Sequence, residues 1–353
     1  MLVYKKYHDN FFEAKLEVEE QQDGLRLDQI VGEYLSGHSR EQIKKKIKAG
    51  EVKVINRNCS NKSSAKLKTK DLIEIIIHRT SHEDEYWRGE LLPLEKPKVI
   101  FEDDDLLVIN KPPFMSTHPT GKHLFNCATV YFENKLELKT VHSVHRLDRE
   151  TSGVLILTKN PKAANLYTEE FEKNNVRKCY LWIAKINHNS SSGDFTANQN
   201  LGNPYSGLKR VIVEASPANS GSGKHATTDF SILESNEKYS IGLAFPLTGR
   251  THQIRVHAKE FGHPLIGDKL YLGGYPLFQR FKDNLYNSDD CDCVIAPRHF
   301  LHAFSIKIKN NIFHAPMCDD MKDFYHQNFN GSINDVFEKA KGKVEAYFNK
   351  DFK

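Results

Sequence analysis

The run "GVLILTKN", starting at Gly153, holds four large apolar residues in succession. A segment this short and this apolar reads as a buried strand. The residues just before it are the opposite in character. "HRLDRETSG", residues 145 to 153, sets Asp148 between Arg146 and Arg149 and closes on Thr-Ser-Gly. A carboxylate held beside guanidinium groups and against a buried strand stays ionised at neutral pH. That is the state of a nucleophile or a base, not of a proton donor. The pattern also fits a loop carboxylate tied into a structural ion pair, since such pairs perturb pKa values as well. From these nine residues alone the structural ion pair is the simpler account.

Strand-like segments recur through the rest of the chain. In "VIFEDDDLLVINKPP", Val99 to Phe101 and Leu106 to Ile109 flank an acidic turn at Asp103 to Asp105, and "KPP" ends the second strand. "PKAANLYTEEFEKNN" reads as a helix, with Pro161 in its first turn and Ala164, Leu166, Tyr167 and Phe171 as apolar contacts. "RKCYLWIAKI" alternates as a strand, "TTDFSILES" and "YSIGLAFPLTG" continue the series, and "HFLHAFSIKIK" is a late strand. Glycine and serine near 216 to 223 mark a loop, and residues 332 to 349 have the spacing of a terminal amphipathic helix. Strands outnumber helices and several are adjacent in sequence. The fold class expected is α+β, with a largely antiparallel mixed sheet and flanking helices.

Charge points to a second module. Residues 24 to 80 carry thirteen Lys and Arg against six Asp and Glu, whereas the whole chain of 353 residues has a formal net charge of only +4. A basic module joined to a near-neutral body suggests a polyanion as partner; a solvated Lys-rich helix would give the same excess. Within it, Leu27, Ile30, Val31, Tyr34 and Leu35 recur at helical spacing, with Gly37 as a stop. Ser39 and Gln42 predict a capping box for a second helix. That helix points Ile43 and Ile47 inward and Lys44, Lys45, Lys46 and Lys48 largely outward, with Arg40 in its first turn. Val52 and Val54, then "DLIEIII", follow as strands. Residues 81–98 read as a linker. The domain plan expected is 1–80 for the N-terminal extension and basic module, 99–330 for the main domain and 331–353 for the terminal helix.

No apolar run approaches the ~20 residues a membrane span requires, and the acid-rich start resembles neither a signal nor a transit peptide. The six cysteines are scattered, with Cys291 and Cys293 a lone C-x-C without a partner pair. A reduced cytoplasmic protein, monomeric and without structural zinc, is the expectation.

A second constellation is "GRTHQIRVHAKEFGHPLIGDKLYLG", residues 249 to 273. If it is a strand, Gln253 and Arg255 share a face, and a guanidinium aimed into a sheet needs an anion, for which Asp148 is the obvious candidate. Arg250 can bind phosphate or brace the strand. Asp268 fits a buried brace better than a catalyst. Tyr180, in "KCYLWIA", fits a core position, although its ring would also suit stacking on a base. His145, His252 and His257 invite a metal reading, but no carboxylate–histidine spacing supports it.

"HRLDRETSG", "RKCYLWIA" and "TGRTHQIRVHAKEFGHPLIGD", in this order, resemble the three active-site motifs of the RluA family of RNA pseudouridine synthases. "EDDDLLVINKPPFMSTHPTG" resembles the family's opening strand pair, and "FLHAFSIKI" with "FHAPMCDDM" its closing strands, so the likeness spans roughly 99 to 325. The basic module, "LRLDQIVGEYLSGHSREQIKKKIKAGEVKVI" with "LKTKDLIEI", resembles a small S-four-like RNA-binding domain, although "INRN" replaces the usual Asn-Gly after its first strand. "HPTG" and "KHLFN" resemble the branch that modifies the anticodon stem-loop of transfer RNA; ribosomal RNA is the other substrate the family implies.

The resemblance implies isomerisation of uridine to pseudouridine within RNA, with no cofactor and no metal. It implies Asp148 as the catalytic aspartate, Arg255 as its charge partner and Tyr180 as the residue that stacks on the target uracil. Arg146 would enter the space the flipped uridine leaves, a step costing a few kcal/mol. Thr151, Ser152 and Gly153 would shape the turn. RNA contacts are expected from Arg146, Arg250, His145, Lys44, Lys45, Lys48 and Arg40. The rival from another class is a non-catalytic RNA-binding or ribosome-assembly protein on the same fold, against which Asp148, Tyr180 and Arg255 argue. A glycosidase would use two carboxylates, and no second acid stands out. The H-x-E and P-C-x-x-C pattern of a fused deaminase is absent.

Overall fold

The computed structural model describes residues 2–8, 10–35, 38–79, 83–120, 123–188, 190–218 and 221–350. Gly37, expected to end the first helix, and Gly121 and Lys122 of the "HPTG" and "KHLFN" segments lie outside the described residues. Internal packing divides the chain into two compact units, Met1–Glu85 with Met115–Ser143 and Tyr86–Phe114 with Val144–Lys353. The division is not the linear one expected. Residues 115–143 pack with the basic module, and the segment expected as a linker contains a small hairpin, Tyr86–Trp87 with Glu90–Leu91.

In the first unit an antiparallel sheet runs in the order Leu2–Tyr7, Phe11–Glu17, Leu72–His78, Val52–Val54. Phe12, Ala14 and Leu16 point inward from one strand and Ile73, Ile75 and Ile77 from its neighbour, the period-two pattern of a half-buried sheet. Helices Leu27–Tyr34 and Arg40–Lys48 complete this core with Leu27, Ile30, Val31, Ile43 and Ile47. The capping box forms as read from the sequence. The Gln42 amide donates to Ser39 Oγ at 3.3 Å and the Ser39 amide to Gln42 Oε1 at 2.7 Å. The first two strands, absent from the sequence reading, give this sheet two of its four strands.

The second unit is built on a mixed sheet. Its strands run in the order Glu214–Pro217, Phe195–Gly202, Lys224–Ser235, Tyr239–Pro246, Arg177–Lys185, Leu301–Ile308, Ser152–Thr158, Leu106–Lys111, Lys98–Glu102. Neighbours along this path are antiparallel except for Ser152–Thr158 against Leu301–Ile308, which is parallel. The strand Ser152–Thr158 is buried at every position, as its unbroken apolar run implied. The terminal helix Ile333–Phe348 buries Val336, Ala340, Val344 and Tyr347, one face at helical spacing.

One register contact decides where chemistry can sit. Ala303, on the middle strand, pairs with Gly153 on one side and with Tyr180 on the other. The strand that follows the Asp148 turn and the strand that carries Tyr180 are therefore brought to the two flanks of one residue. Gly153 adopts φ +108, and a Cβ there would lie 2.3 Å from the carbonyl oxygen of Ala303. Only glycine combines that backbone conformation with that approach.

The Gly153→Ala variant should therefore lose about 3 kcal/mol of stability or fail to accumulate folded. The control is Gly342, exposed within the terminal helix with nothing near its missing side chain. Gly342→Ala should stabilise by up to about 1 kcal/mol. Denaturation midpoints of the two variants against the parent chain measure both effects.

Candidate active site

The charged loop 145–151 ends in a turn closed by the Thr151 amide donating to the Asp148 carbonyl at 3.1 Å. Each residue after Asp148 is fastened separately. Glu150 accepts from Lys269 Nζ at 2.7 Å and from the His299 amide at 3.1 Å. His299 Nδ1 lies 3.3 Å from Oε2, the Glu150 oxygen that also accepts the His299 amide, so its Nε2 takes the hydroxyl proton of Thr151 at 2.8 Å. Ser152 Oγ donates to His302 Nδ1 at 2.9 Å, while His302 Nε2 faces the Ala315 carbonyl at 3.3 Å. Lys111, fully buried, donates to the carbonyls of Pro112 and Arg149 at 3.0 and 3.2 Å. Burial first, and the nearby Arg298 second, bring the Lys111 ammonium down to about 7.

Arg255 meets this turn from a helix, Gln253–Glu260, not from the strand expected. In a helix, residues two apart point about 200° from each other. Gln253 accordingly faces the strand Lys224–Ser235, donating to the Thr227 carbonyl and the Thr228 hydroxyl at 2.9 Å each. Arg255 faces the other way. Its Nε and Nη2 donate to the two oxygens of Asp268 at 2.7 and 2.9 Å, and its remaining Nη1 donates to Asp148 Oδ2 at 3.2 Å. Asp268 is fully buried, braced by the amides of Leu270 and Tyr271 at 3.1 and 3.0 Å. The Tyr271 ring lies 5.0 Å from the Arg255 guanidinium carbon.

These contacts set the charges. Burial pushes the Asp148 carboxyl up, but His252, Arg255 and His299 outweigh it and hold the group down at about 2. Burial brings His252 itself to about 4. It is neutral at pH 7, where Arg255 is the cation that serves Asp148. Burial opposes the Arg255 charge too, and Asp268, then Asp148, restores it. The Tyr180 hydroxyl is raised well above its ordinary value, by burial and then by the Asp148 anion, so it is a neutral phenol at pH 7.

The other expected site residues divide. Arg146 is exposed just before Asp148. Arg250 is exposed, and its Nε donates to the His225 carbonyl at 3.1 Å. His145 has a structural task. Its Nε2 accepts from the Ile156 amide at 2.9 Å and its ring stacks on Phe171 at 4.6 Å. Lys44, Lys45 and Lys48 are exposed on their helix. Arg40 is exposed but leans on the buried Asp28 at 3.3 Å, which Arg26 also holds. The sequence does not mark three further side chains as partners of Asp148 and its turn: His252, Tyr271 and Lys111. The first two lie in the quoted constellation and the third in "KPP", but nothing in their spacing assigns them there. Among the described residues no group of three His, Cys, Asp or Glu is disposed to hold a metal ion.

A mixed sheet that carries a half-buried tyrosine, with an arginine-paired aspartate in the turn that leads into a nearby strand, defines a narrow class. The model of the RNA pseudouridylate synthase family matches residues 105–260. The ribosomal large subunit pseudouridine synthase D of Vibrio cholerae is 31% identical over 317 residues, covering 86% of this chain and 91% of the relative. The mitochondrial tRNA pseudouridine(32) synthase of Saccharomyces cerevisiae is 34% identical over 256 residues, 70% of this chain but only 50% of the yeast protein. The solved structure of human RNA pseudouridylate synthase domain containing 4 shares the fold, with a TM-score of 0.53 at 22% identity over 65% of this chain and 92% of that one. The chain belongs to the RluA family of RNA pseudouridine synthases, which are isomerases.

The buried Arg255–Asp268 pair carries a stability prediction. Asp268→Asn leaves a buried guanidinium without its main anion and should cost about 3 kcal/mol or more at pH 7. The Asp268 carboxyl is held below its ordinary value: burial raises it, and Arg255 more than offsets this. Its contribution is therefore complete above the unfolded value near 4 and is lost as pH falls through the lower folded one. The gap between parent and variant should be widest at pH 7 and narrow below pH 4, as read from denaturation curves across that range.

Proposed function

We propose that Asp148 is the catalytic group and that the chain isomerises uridine within a structured RNA. The observation that carries this is the single bond from Arg255 to Asp148 Oδ2. It keeps the carboxylate anionic and oriented without occupying both of its oxygens. An anion is required whether Asp148 attacks the sugar or removes a proton from it. Tyr180, a neutral phenol on the neighbouring flank, supplies a ring for the uracil to stack on and a hydroxyl that can relay a ring proton. Arg146, exposed beside Asp148, is placed to fill the gap left by the flipped uridine. Support for a non-catalytic RNA-binding role is weak, because a protein that only binds RNA has no need of this charge arrangement.

The basic residues of the first unit are the proposed RNA surface, a role its resemblance to an S-four-like domain also favours. Lys44, Lys45 and Lys48 stand out from one helix with Arg40 at its start. His145 drops out, since its ring is already engaged. The anticodon stem-loop of transfer RNA is the preferred substrate, on the likeness of the segments at 118–126. A second reading, large-subunit ribosomal RNA, is favoured by the Vibrio relative, whose alignment takes in 86% of the chain. Mapping pseudouridine in transfer and ribosomal RNA from cells with and without the protein separates the two. Action in the cytoplasm, as a monomer, is part of the proposal; a reducing compartment fits the free cysteines of the described residues.

Asp148→Asn keeps the shape of the side chain and removes the anion. It should abolish pseudouridine formation in a tritium-release assay while RNA is still bound; turnover by the purified variant would remove Asp148 from the mechanism. Arg255→Lys retains a cation but not the fork that serves two carboxylates. It should cost about 100-fold in rate. In the parent chain Asp148 loses its charge only as pH falls through about 2. With Arg255 replaced, that loss should begin at higher pH, seen as an upward shift in the acid limb of the pH–rate profile.

Replacing Lys44, Lys45 and Lys48 together by alanine should weaken RNA binding and flatten its salt dependence. Each phosphate that is no longer neutralised by a lysine lowers the slope of log K against log salt by about 0.7 to 0.9. The slope should therefore fall by about 2, measured by filter binding across a salt series. An unchanged slope would place the RNA elsewhere.

A further inference from the structure

Two nitrogens face one oxygen of Asp148. Arg255 Nη1 reaches Oδ2 at 3.2 Å, and His252 Nε2 stands 4.0 Å from the same oxygen. His252 is the residue just ahead of the helix Gln253–Glu260 and has φ +55, a left-handed conformation uncommon for residues other than glycine. Its side chain is nearly buried, at 13% exposure.

The proton position on His252 follows from its other contact. Nδ1 lies 2.9 Å from the Tyr271 hydroxyl, and that hydroxyl oxygen already accepts the Val213 amide proton at 3.2 Å. Tyr271 is itself fixed, its amide on Asp268 and its ring against the Arg255 guanidinium. With Tyr271 donating to Nδ1, the neutral imidazole carries its proton on Nε2, facing Asp148. The other tautomer would aim the Nε2 lone pair at a carboxylate oxygen, two electron-rich atoms against each other. A distance of 4.0 Å is long for a hydrogen bond, but catalytic contacts in unliganded enzymes are commonly longer than in the substrate complex.

We propose that His252 is a positioning residue for Asp148: its Nε2–H, held in one tautomer by Tyr271 and Val213, joins Arg255 on Oδ2 and leaves Oδ1 as the oxygen that meets the sugar. This rests on the assignment of Asp148 to the chemistry and adds which oxygen reacts and what holds the other. It also gives Tyr271 a task, to fix the histidine while bracing the arginine.

The test is a set of variants assayed for uridine isomerisation over a range of RNA concentrations. His252→Asn keeps an amide near Nδ1 but nothing at the Nε2 position, and should lower kcat about 100-fold with little change in KM. His252→Gln places an amide N–H near the Nε2 position and should recover to within about tenfold of the parent. Backbone preference alone predicts the reverse order, because asparagine tolerates the left-handed conformation better than glutamine. Tyr271→Phe should lose about tenfold in kcat, and adding it to His252→Asn should cost nothing more, since both break one chain of contacts. Glutamine no better than asparagine, a loss confined to KM, or multiplying losses in the double variant would each overturn the proposal. If His252→Gln fails to give a native circular dichroism spectrum, the Tyr271→Phe and His252→Asn pair decides. Asp148→Asn runs alongside. Activity there would remove the premise, whereas an inactive Asp148→Asn with the wrong order at His252 would remove this inference alone.

Discussion

The Arg255 guanidinium is a permanent charge in the interior, and the site is arranged around the need to satisfy it. A buried cation is tolerated only with good partner geometry and filled hydrogen bonds. Asp268 supplies most of this by taking Nε and Nη2 as a fork, the geometry that suits arginine and carboxylate best. One N–H then remains for Asp148. This division of donors matters more than the attraction itself. An arginine fork placed directly on Asp148 would occupy both oxygens of the group that has to react. With Asp268 absorbing the fork, Asp148 is held by one oxygen and remains usable by the other. The same guanidinium links three separate segments, the turn after Arg146, the helix from Gln253 and the turn at Asp268.

The sheet provides the second constraint. Gly153 and Tyr180 both pair with Ala303, so the end of the Asp148 turn is anchored at a fixed strand spacing from the tyrosine. Strands hold such spacing well because each is bonded along its length to its neighbours. The parallel pairing of Ser152–Thr158 with Leu301–Ile308 is short, two residues in register, and it depends on Gly153 coming against the Ala303 backbone. Glu150, Thr151 and Ser152 are then pinned to the residues around that strand through His299 and His302. Three histidines read from sequence as possible metal ligands or RNA contacts, His145, His252 and His257, each bond to neighbouring groups of the protein.

Much of this was legible in the sequence wherever burial was one-sided or complete. The strand at 152–158, the capping box at Ser39 and the terminal helix each showed a pattern that a single physical cause produces. The helix Gln253–Glu260 misled for a definite reason. "QIRVH" alternates polar and apolar residues, which is the signature of a half-buried strand. In the structure Gln253 through Ala258 are all buried, so the apolar residues mark no face. The polar ones are inside because each has a fixed partner far along the chain: Thr228 for Gln253 and His257, Asp268 for Arg255. Such partners cannot be inferred from local spacing. The helices Gly274–Lys282, Ser288–Val294 and Asp319–Asn328 were likewise missed, being short and punctuated by glycine or runs of acid. The grouping of residues 115–143 with the first unit is a matter of tertiary packing, for which the sequence carries no boundary signal.

Protonation states at the site follow from environments that push neighbouring groups apart. Asp148 is drawn down to about 2 and Tyr180 is driven up, partly by the Asp148 anion itself, so a base and a phenol coexist at one site. Paired shifts in opposite directions are how one pocket separates acid from base. His252 is neutral in between, which removes a competing cation and leaves it a directional donor. Lys111 is the group whose titration falls near neutrality, at about 7, because it is buried and faces Arg298. Its partners include two backbone carbonyls, Pro112 and Arg149, so the neutral amine can keep donating to them after losing a proton. The loop can thus remain fastened on either side of that titration, and the charge balance around Asp148 is left to Arg255, a cation whose proton is not in play.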